Sequence, residues 1–110
     1  MAERALLKKH GKLRVSLVRP AIVISSYEEP TPGWTDTLAA GGGLIFGVTS
    51  GLMHVVFADP DKVIDMVPVD YVSNTILCST AYAARIDKPQ VVVCHSSTSH
   101  LNPSKLQILA

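Results

Sequence analysis

The side chains able to do chemistry in this 110-residue chain are few and poorly spaced for it. A tyrosine phenol becomes a useful proton donor when a lysine four residues on lowers its pKa. Tyr27, Tyr71 and Tyr82 are followed at that distance by Thr31, Thr75 and Ile86, so no such pair exists. His10, His54, His95 and His100 have no metal-ligand spacing, and Cys94-His95 with His100 fits no recognised pattern, so no metal site is expected. No Gly-x-Ser-x-Gly elbow is present to activate a serine. Glu28 and Glu29 could serve in acid–base work, but adjacent glutamates in a polar loop read first as solvated charges. Gly41, Gly43 and Gly47 approach a phosphate-cradling pattern, yet they follow a loop and Leu38-Ala39-Ala40 instead of an apolar strand. The residues assign no catalytic group.

What the chain does carry is a pair of apolar runs that end in proline. Val18-Arg19-Pro20-Ala21-Ile22-Val23 leads into Glu28-Glu29-Pro30-Thr31-Pro32-Gly33-Trp34-Thr35-Asp36, which holds two further prolines and the only tryptophan. A loop that merely connects two elements seldom needs a proline-braced aromatic, and binding loops gather on rigid scaffolds. Val67-Pro68-Val69-Asp70 repeats the logic with an acidic helix opener. Two such strand ends predict an α/β protein whose working edge lies at the carboxyl ends of its strands.

Composition agrees. Apolar residues make up 47% and charged residues 17%, below the usual charged share of about 25%. That deficit fits a mostly parallel sheet covered by helices, or part of a larger core. A net charge of +1 offers no electrostatic case for nucleic acid, and Lys8, Lys9, Lys12 and Arg14 read as a solvated helix end. Cys78 and Cys94 lack a disulfide pattern and are expected as reduced, buried thiols of a cytosolic or organellar-matrix protein. Residues 38–58 contain no Asp, Glu, Lys or Arg and are long enough to span a bilayer. Gly41, Gly42, Gly43, Gly47, Gly51 and His54 argue against a spanning helix. The segment is expected as a Gly-rich cover over an apolar pocket, or as one resting on a membrane surface.

The elements that must position these features follow from periodicity and punctuation. Ala2 to His10 reads as a helix stopped by Gly11. Leu13 to Val18 and Ala21 to Ile24 form a β-branched strand region broken at Pro20. Thr35-Asp36 offers a helix cap. Met53 to Phe57 and Val63 to Val69 read as strands, and Asp70 as the N-cap of a helix from Tyr71 to Arg85. Gln90 to Cys94 is a third β-branched strand, and Asn102-Pro103 is expected to open a final helix.

Laid out in this order, the residues resemble the alcohol-forming fatty acyl-CoA reductases. These are extended short-chain dehydrogenase/reductases of the male-sterility and thioester-reductase type. The resemblance rests on Val18 to Val23, then Glu29-Pro30-x-Pro32-Gly33-Trp34-x-Asp36 with Gly43-Leu44, then Asp65-x-Val67-Pro68-Val69-Asp70-x-Val72-x-Asn74, and finally Cys94-His95-Ser96-Ser97 with Asn102-Pro103. It covers nearly the whole chain. The Glu-Pro-x-Pro-Gly-Trp-x-Asp signature is specific, whereas Val-Pro-Val-Asp is common among extended reductases. Gly41-Gly42-Gly43 departs from the Gly-Pro-x-Gly-type turn frequent in the family.

The resemblance implies a Rossmann-type fold, with residues 1–110 as the C-terminal, substrate-side portion of the reductase domain. The Tyr-x-x-x-Lys dyad and the Gly-rich cofactor loop would lie upstream, Met1 being an internal methionine or a gene-model start. It implies NADPH as cofactor and a fatty acyl-CoA as substrate, reduced to the alcohol through the aldehyde. Pro20, Ala21, Ile22 and Val23 would meet the nicotinamide carboxamide through backbone groups. Pro32, Gly33, Trp34, Leu44 and Phe46 would border the acyl channel, whose apolar walls gain roughly 0.8 kcal/mol per buried methylene. The missing N-terminal half of the domain would be a partner, a membrane surface a possible second, and the peroxisome or endoplasmic reticulum the implied location. The alternative is a non-catalytic acyl-binding or interaction module.

Overall fold

The structure, a computed structural model, describes residues 2–39, 41–87 and 91–105. Helix α1 (Ala2–Lys9) ends where Gly11 takes φ +58°, in the left-handed region that glycine enters without strain. Strands β1 (Val15–Pro20) and β2 (Ile22–Ile24) follow, separated by Ala21 alone. Next come helix α2 (Gly41–Thr49) and strands β3 (Val63–Ile64) and β4 (Met66–Pro68). Helix α3 (Val69–Arg85), β5 (Val91–Ser96) and β6 (Ser104–Lys105) complete the described residues.

Each strand pairs with a partner distant in sequence. β1 runs parallel to β5, with Val15 opposite Val91 and Pro20 opposite Ser96. β2 runs parallel to β4, placing Val23 opposite Val67 and Ile24 opposite Pro68. β3 and β6 form a short antiparallel pair. Parallel pairing requires a crossover: α2 lies in the connection from β2 to β4, and α3 in that from β1 to β5, where it packs against both strands. The expected α/β architecture with mainly parallel strands is what the chain adopts. β1 and β5 therefore end side by side at Pro20 and Ser96, and β2 and β4 at Ile24 and Pro68, the first pair of ends running into the start of the second pair instead of sharing one edge with its ends.

Several local expectations give way to tertiary forces. Met53 to Phe57 forms no strand; Phe57 is fully exposed, and nothing pairs with this stretch. The Gly-rich segment is an ordinary helix, α2, with Gly41 and Gly47 buried. Thr35 does not cap it, because its hydroxyl donates to the Thr37 carbonyl at 2.8 Å inside a local turn. Ser104–Lys105 extends as a strand where a helix was expected, since Val63–Ile64 offers it an edge. Residues 106–110, where that helix would continue, and Gln90 lie outside the described residues. Cys78 is exposed and Cys94 half-buried, so neither is the buried thiol expected. No helix among the described residues is long and apolar enough to cross a membrane.

The core is thin. Among the described residues only Val67 (1% exposed) and Ala83 (5%) are buried hydrophobics. The accessible surface is 8258 Å². A folded monomer of 11.8 kDa ordinarily exposes about 5,900 Å². The radius of gyration of 17.1 Å likewise exceeds the roughly 13 Å of a compact domain this size. Leu13, Leu38, Leu52, Val55, Leu77 and Leu101 are among the apolar side chains left in water.

Candidate functional site

The proline-braced excursion after β2 closes into a compact ring of hydrogen bonds. Ser26, only 4% exposed, organises it. Its hydroxyl donates to the Thr31 carbonyl at 2.6 Å and accepts the Trp34 amide at 3.1 Å. Its own amide donates to the Trp34 carbonyl at 3.0 Å, and its carbonyl accepts the Gly33 amide at 2.9 Å. Gly33 sits at φ +78°, which a Cβ would disfavour, and the Glu29–Pro30 peptide is cis. This ring turns the chain back so that Trp34 returns to the end of β2.

The ring is tied to α3 by Asp70. The amides of Tyr27, Glu28 and Glu29 donate to the two oxygens of its carboxylate at 3.0, 3.0 and 3.3 Å. Asp70 was expected to cap α3. The helix instead begins at Val69 behind Pro68, with no side-chain cap, and the carboxylate reaches across to the loop. Beside Asp70, the Tyr71 ring meets the Tyr27 ring edge-on, with centroids 5.8 Å apart at 63°.

These amides, that of Tyr27 foremost, hold the Asp70 carboxyl below its ordinary 3.8, at about 2. The folded pKa lies under the unfolded one, so the stabilising contribution is complete above pH 4 or so and lost as pH falls through about 2. In acid titration the emission of Trp34 is expected to change near pH 2. A transition centred near 4 would show that the loop does not grip the carboxylate.

A second tether was not legible in the sequence. Ser97, just past β5, donates its hydroxyl to Asp65 at 2.9 and 2.7 Å, and the Ser99 amide adds a bond at 3.4 Å. The Ser97 hydroxyl is the main reason the Asp65 carboxyl lies below its usual range. Thr98 donates to the Met66 carbonyl at 2.5 Å. Together these bonds fasten the end of β5 to β4. At the end of β1, Arg19 holds Glu3 of α1 in a bidentate pair at 2.9 and 2.5 Å. That pair raises the Arg19 pKa and lowers that of Glu3, but it is exposed and adds little to stability.

The residues singled out in the sequence fall into three groups. Val23 and Trp34 line the same cavity of about 200 Å³, with Ile24, Asp36, Gly42 and Val69. Pro20, Ala21 and Ile22 do not line it: Pro20 ends β1, Ile22 opens β2 and Ala21 joins them. The Ala21 amide donates to the Ser96 carbonyl at 2.9 Å and the Ile22 amide to the Asp65 carbonyl at 3.0 Å. Both amides are occupied, so a ligand met through them would have to displace a structural bond. Pro32 and Gly33 stand in the exposed part of the loop, away from the cavity lining. Leu44, half-buried, and Phe46, 48% exposed, lie along α2 and do not line the cavity, to which α2 contributes Gly42.

A larger hollow of about 560 Å³ lies between α3 and the end of β5, lined by Tyr71, Cys78, Tyr82, Cys94 and His95 among others. It takes in none of the residues assigned from the sequence. No cluster of metal-ligating side chains occurs among the described residues.

Residues 1–76 fit the profile of the Male sterility protein family of NAD-binding domains. Fatty acyl-CoA reductase 2 of Mus musculus is 35% identical to this chain over its whole length, and that of Bos taurus 32%. Fatty acyl-CoA reductase 1 of Homo sapiens is 34% identical over 94% of the chain. The chain spans 22% of the first two relatives and 20% of the third, about a fifth of their length. With its α/β strand order, its proline-terminated strand ends and this likeness over most of its residues, the chain belongs to the Male sterility protein family of nicotinamide-dinucleotide-binding domains.

Proposed function

We propose that these residues supply the substrate side of a site in which NADPH reduces a long-chain fatty acyl-CoA to the fatty alcohol. The observation that supports this most is the cavity where Val23, at the carboxyl end of a parallel strand, faces Trp34 of the ringed loop. Nicotinamide is flat and uncharged at its carboxamide end. Val23 and Ile24 with the Trp34 ring fit the flat ring face, and Ser25, Thr35 and Thr37 of the same lining offer polar groups for the carboxamide, while nothing in the 110 residues offers a dinucleotide diphosphate loop. The dinucleotide, when bound, supplies hydride. The chain's own part is positional: Val23 and Ile24 form an apolar wall, Trp34 covers it, and the ring of bonds through Ser26 holds Trp34 in place. Leu44 and Phe46 on α2 extend apolar surface beyond the cavity, where an acyl chain gains about 0.8 kcal/mol per methylene removed from water.

No Tyr-x-x-x-Lys occurs in these 110 residues, so no described side chain is placed to protonate a reduced carbonyl. The isolated chain is therefore expected to show no acyl-CoA-dependent oxidation of NADPH at 340 nm. Measurable turnover would sink this reading. The missing dyad also favours a second reading, a non-catalytic acyl-binding module. Quenching of Trp34 by palmitoyl-CoA with no response to NADPH would select it. Quenching by both supports the reductase half-site.

A further inference from the structure

We propose that Asp70 is the positioning residue of this site, its carboxylate holding the 27–34 loop so that Trp34 stands over the Val23 cavity. What the cavity receives rests on the reading above; the clamp itself does not.

Asp70 is 8% exposed, and no cation pairs with it among the described residues. A buried carboxylate without a cation is costly unless other donors replace its water. Here three successive amides, those of Tyr27, Glu28 and Glu29, turn inward and do so. Successive inward amides form an anion-binding concavity, and this one is built around a side chain of the same chain. Without the anion those three donors would point at each other's positive ends, so the loop keeps this shape only while Asp70 is charged and in place.

The consequence reaches Trp34 in two steps. Ser26, next to Tyr27, binds both Gly33 and Trp34 through its own backbone. Fixing Tyr27 therefore fixes the strand of loop that carries the indole. The same turn of α3 supplies three parts at once: Val69 lines the cavity, Asp70 anchors the loop and Tyr71 packs on Tyr27. The first turn of α3 and the cover of the cavity thus move together.

The only tryptophan of the chain lies in this loop, which makes its emission a local report. Asp70→Asn keeps the size of the side chain and removes its charge. The open-loop fraction is expected to rise about tenfold, the factor set by losing one hydrogen bond to a charged group. It is read as a red shift of Trp34 emission and stronger quenching by acrylamide, with the far-UV signal of α3 unchanged. Asp70→Glu, which restores the charge, should recover part of the native emission.

Native emission in Asp70→Asn would overturn the proposal. So would loss of the α3 signal together with the Trp34 change, because Asp70 would then serve the whole fold. A glutamate variant no better than asparagine would refute the role of the charge. Palmitoyl-CoA added to the unmodified chain separates the two ideas. An absent Trp34 response there, beside the expected Asp70→Asn shift, defeats the acyl reading and leaves the clamp standing.

Discussion

Val67→Ala is expected to lower the urea midpoint of the chain more than any other single methyl-scale change. Val67 is the one large side chain fully out of water among the described residues, at 1% exposed. It sits in β4 opposite Val23, and its neighbours toward α3 border the larger hollow. Removing two methyl groups there loses their transfer energy and enlarges a space that already exists, roughly 1.5–3 kcal/mol. Ordinary domains hold only about 5–15 kcal/mol in total, and this one has almost no other core to share the loss. The same change at Val63, 49% exposed on the short β3, should move the midpoint little. Equal midpoints for the two variants would place the core elsewhere.

The second large effect concerns the glycines of α2. A Cβ at Gly41 would come within 2.8 Å of Ile24 Cγ2 and 3.0 Å of Ile22 Cγ2. Both neighbours are β-branched ends held in strand β2, so neither can swing aside. One at Gly43 would meet the Leu38 carbonyl oxygen, which is backbone. Alanine at Gly41 is expected to lift the start of α2 from β2, and alanine at Gly43 to push α2 from the Leu38 backbone, each at about 1–3 kcal/mol and with disturbance of the cavity that Gly42 lines. Gly47 is the control. Its Cβ would meet Met53 Sδ at 2.8 Å, the far end of a flexible side chain that can rotate away. Alanine also favours a helix by up to about 1 kcal/mol over glycine, so Gly47→Ala should be near neutral or stabilising. Thermal unfolding of the three variants checks the order, and a Gly41 variant as stable as the Gly47 one would refute the close packing of α2 on β2.

The contrast explains what the Gly-rich stretch is for. Read along the chain, Gly41, Gly42, Gly43 and Gly47 lower helical propensity and suggest a loose cover. In the fold Gly41 lets the helix approach a β-branched strand closely, while Gly42 and Gly43 let it approach the backbone of Thr37 and Leu38, and Gly47 the Met53 side chain. Packing against β2 outweighs the propensity cost, as burial of a helix face usually does.

Where the sequence was legible, the signals were local and strong. Gly11 ends α1, the apolar stripe from Tyr71 to Arg85 gives α3, and the β-branched runs give β1 and β5, whereas Val63 to Val69, expected as one strand, divides at Asp65 into β3 and β4 of different sheets. Where it was not, the deciding partner lay far along the chain. Asp70 looks like a helix cap because capping is a short-range rule, yet its donors are some forty residues away, at Tyr27 to Glu29. Ser26 and Ser97 carry no signal of their own, since a serine becomes informative only when its hydroxyl is enclosed or faces a carboxylate. Ser104–Lys105 forms a strand only because β3 presents an edge. The family resemblance groups Leu44 and Phe46 with Trp34, but of α2 only Gly42 lines the cavity.

By itself the sequence determined the α/β class, the two proline-terminated strand ends and the family signature. It also determined the lack of a Tyr-x-x-x-Lys pair within these residues. All depend on residue type and short-range spacing, which a linear reading preserves. Only the tertiary structure decided that Val23 and Trp34 share one cavity, that the Ala21 and Ile22 amides are already occupied, and that a buried carboxylate on α3 holds the loop. Those are facts of long-range pairing. Hydrogen bonds and close contacts form wherever the parallel crossover brings chain segments together, and no spacing along the sequence encodes that meeting.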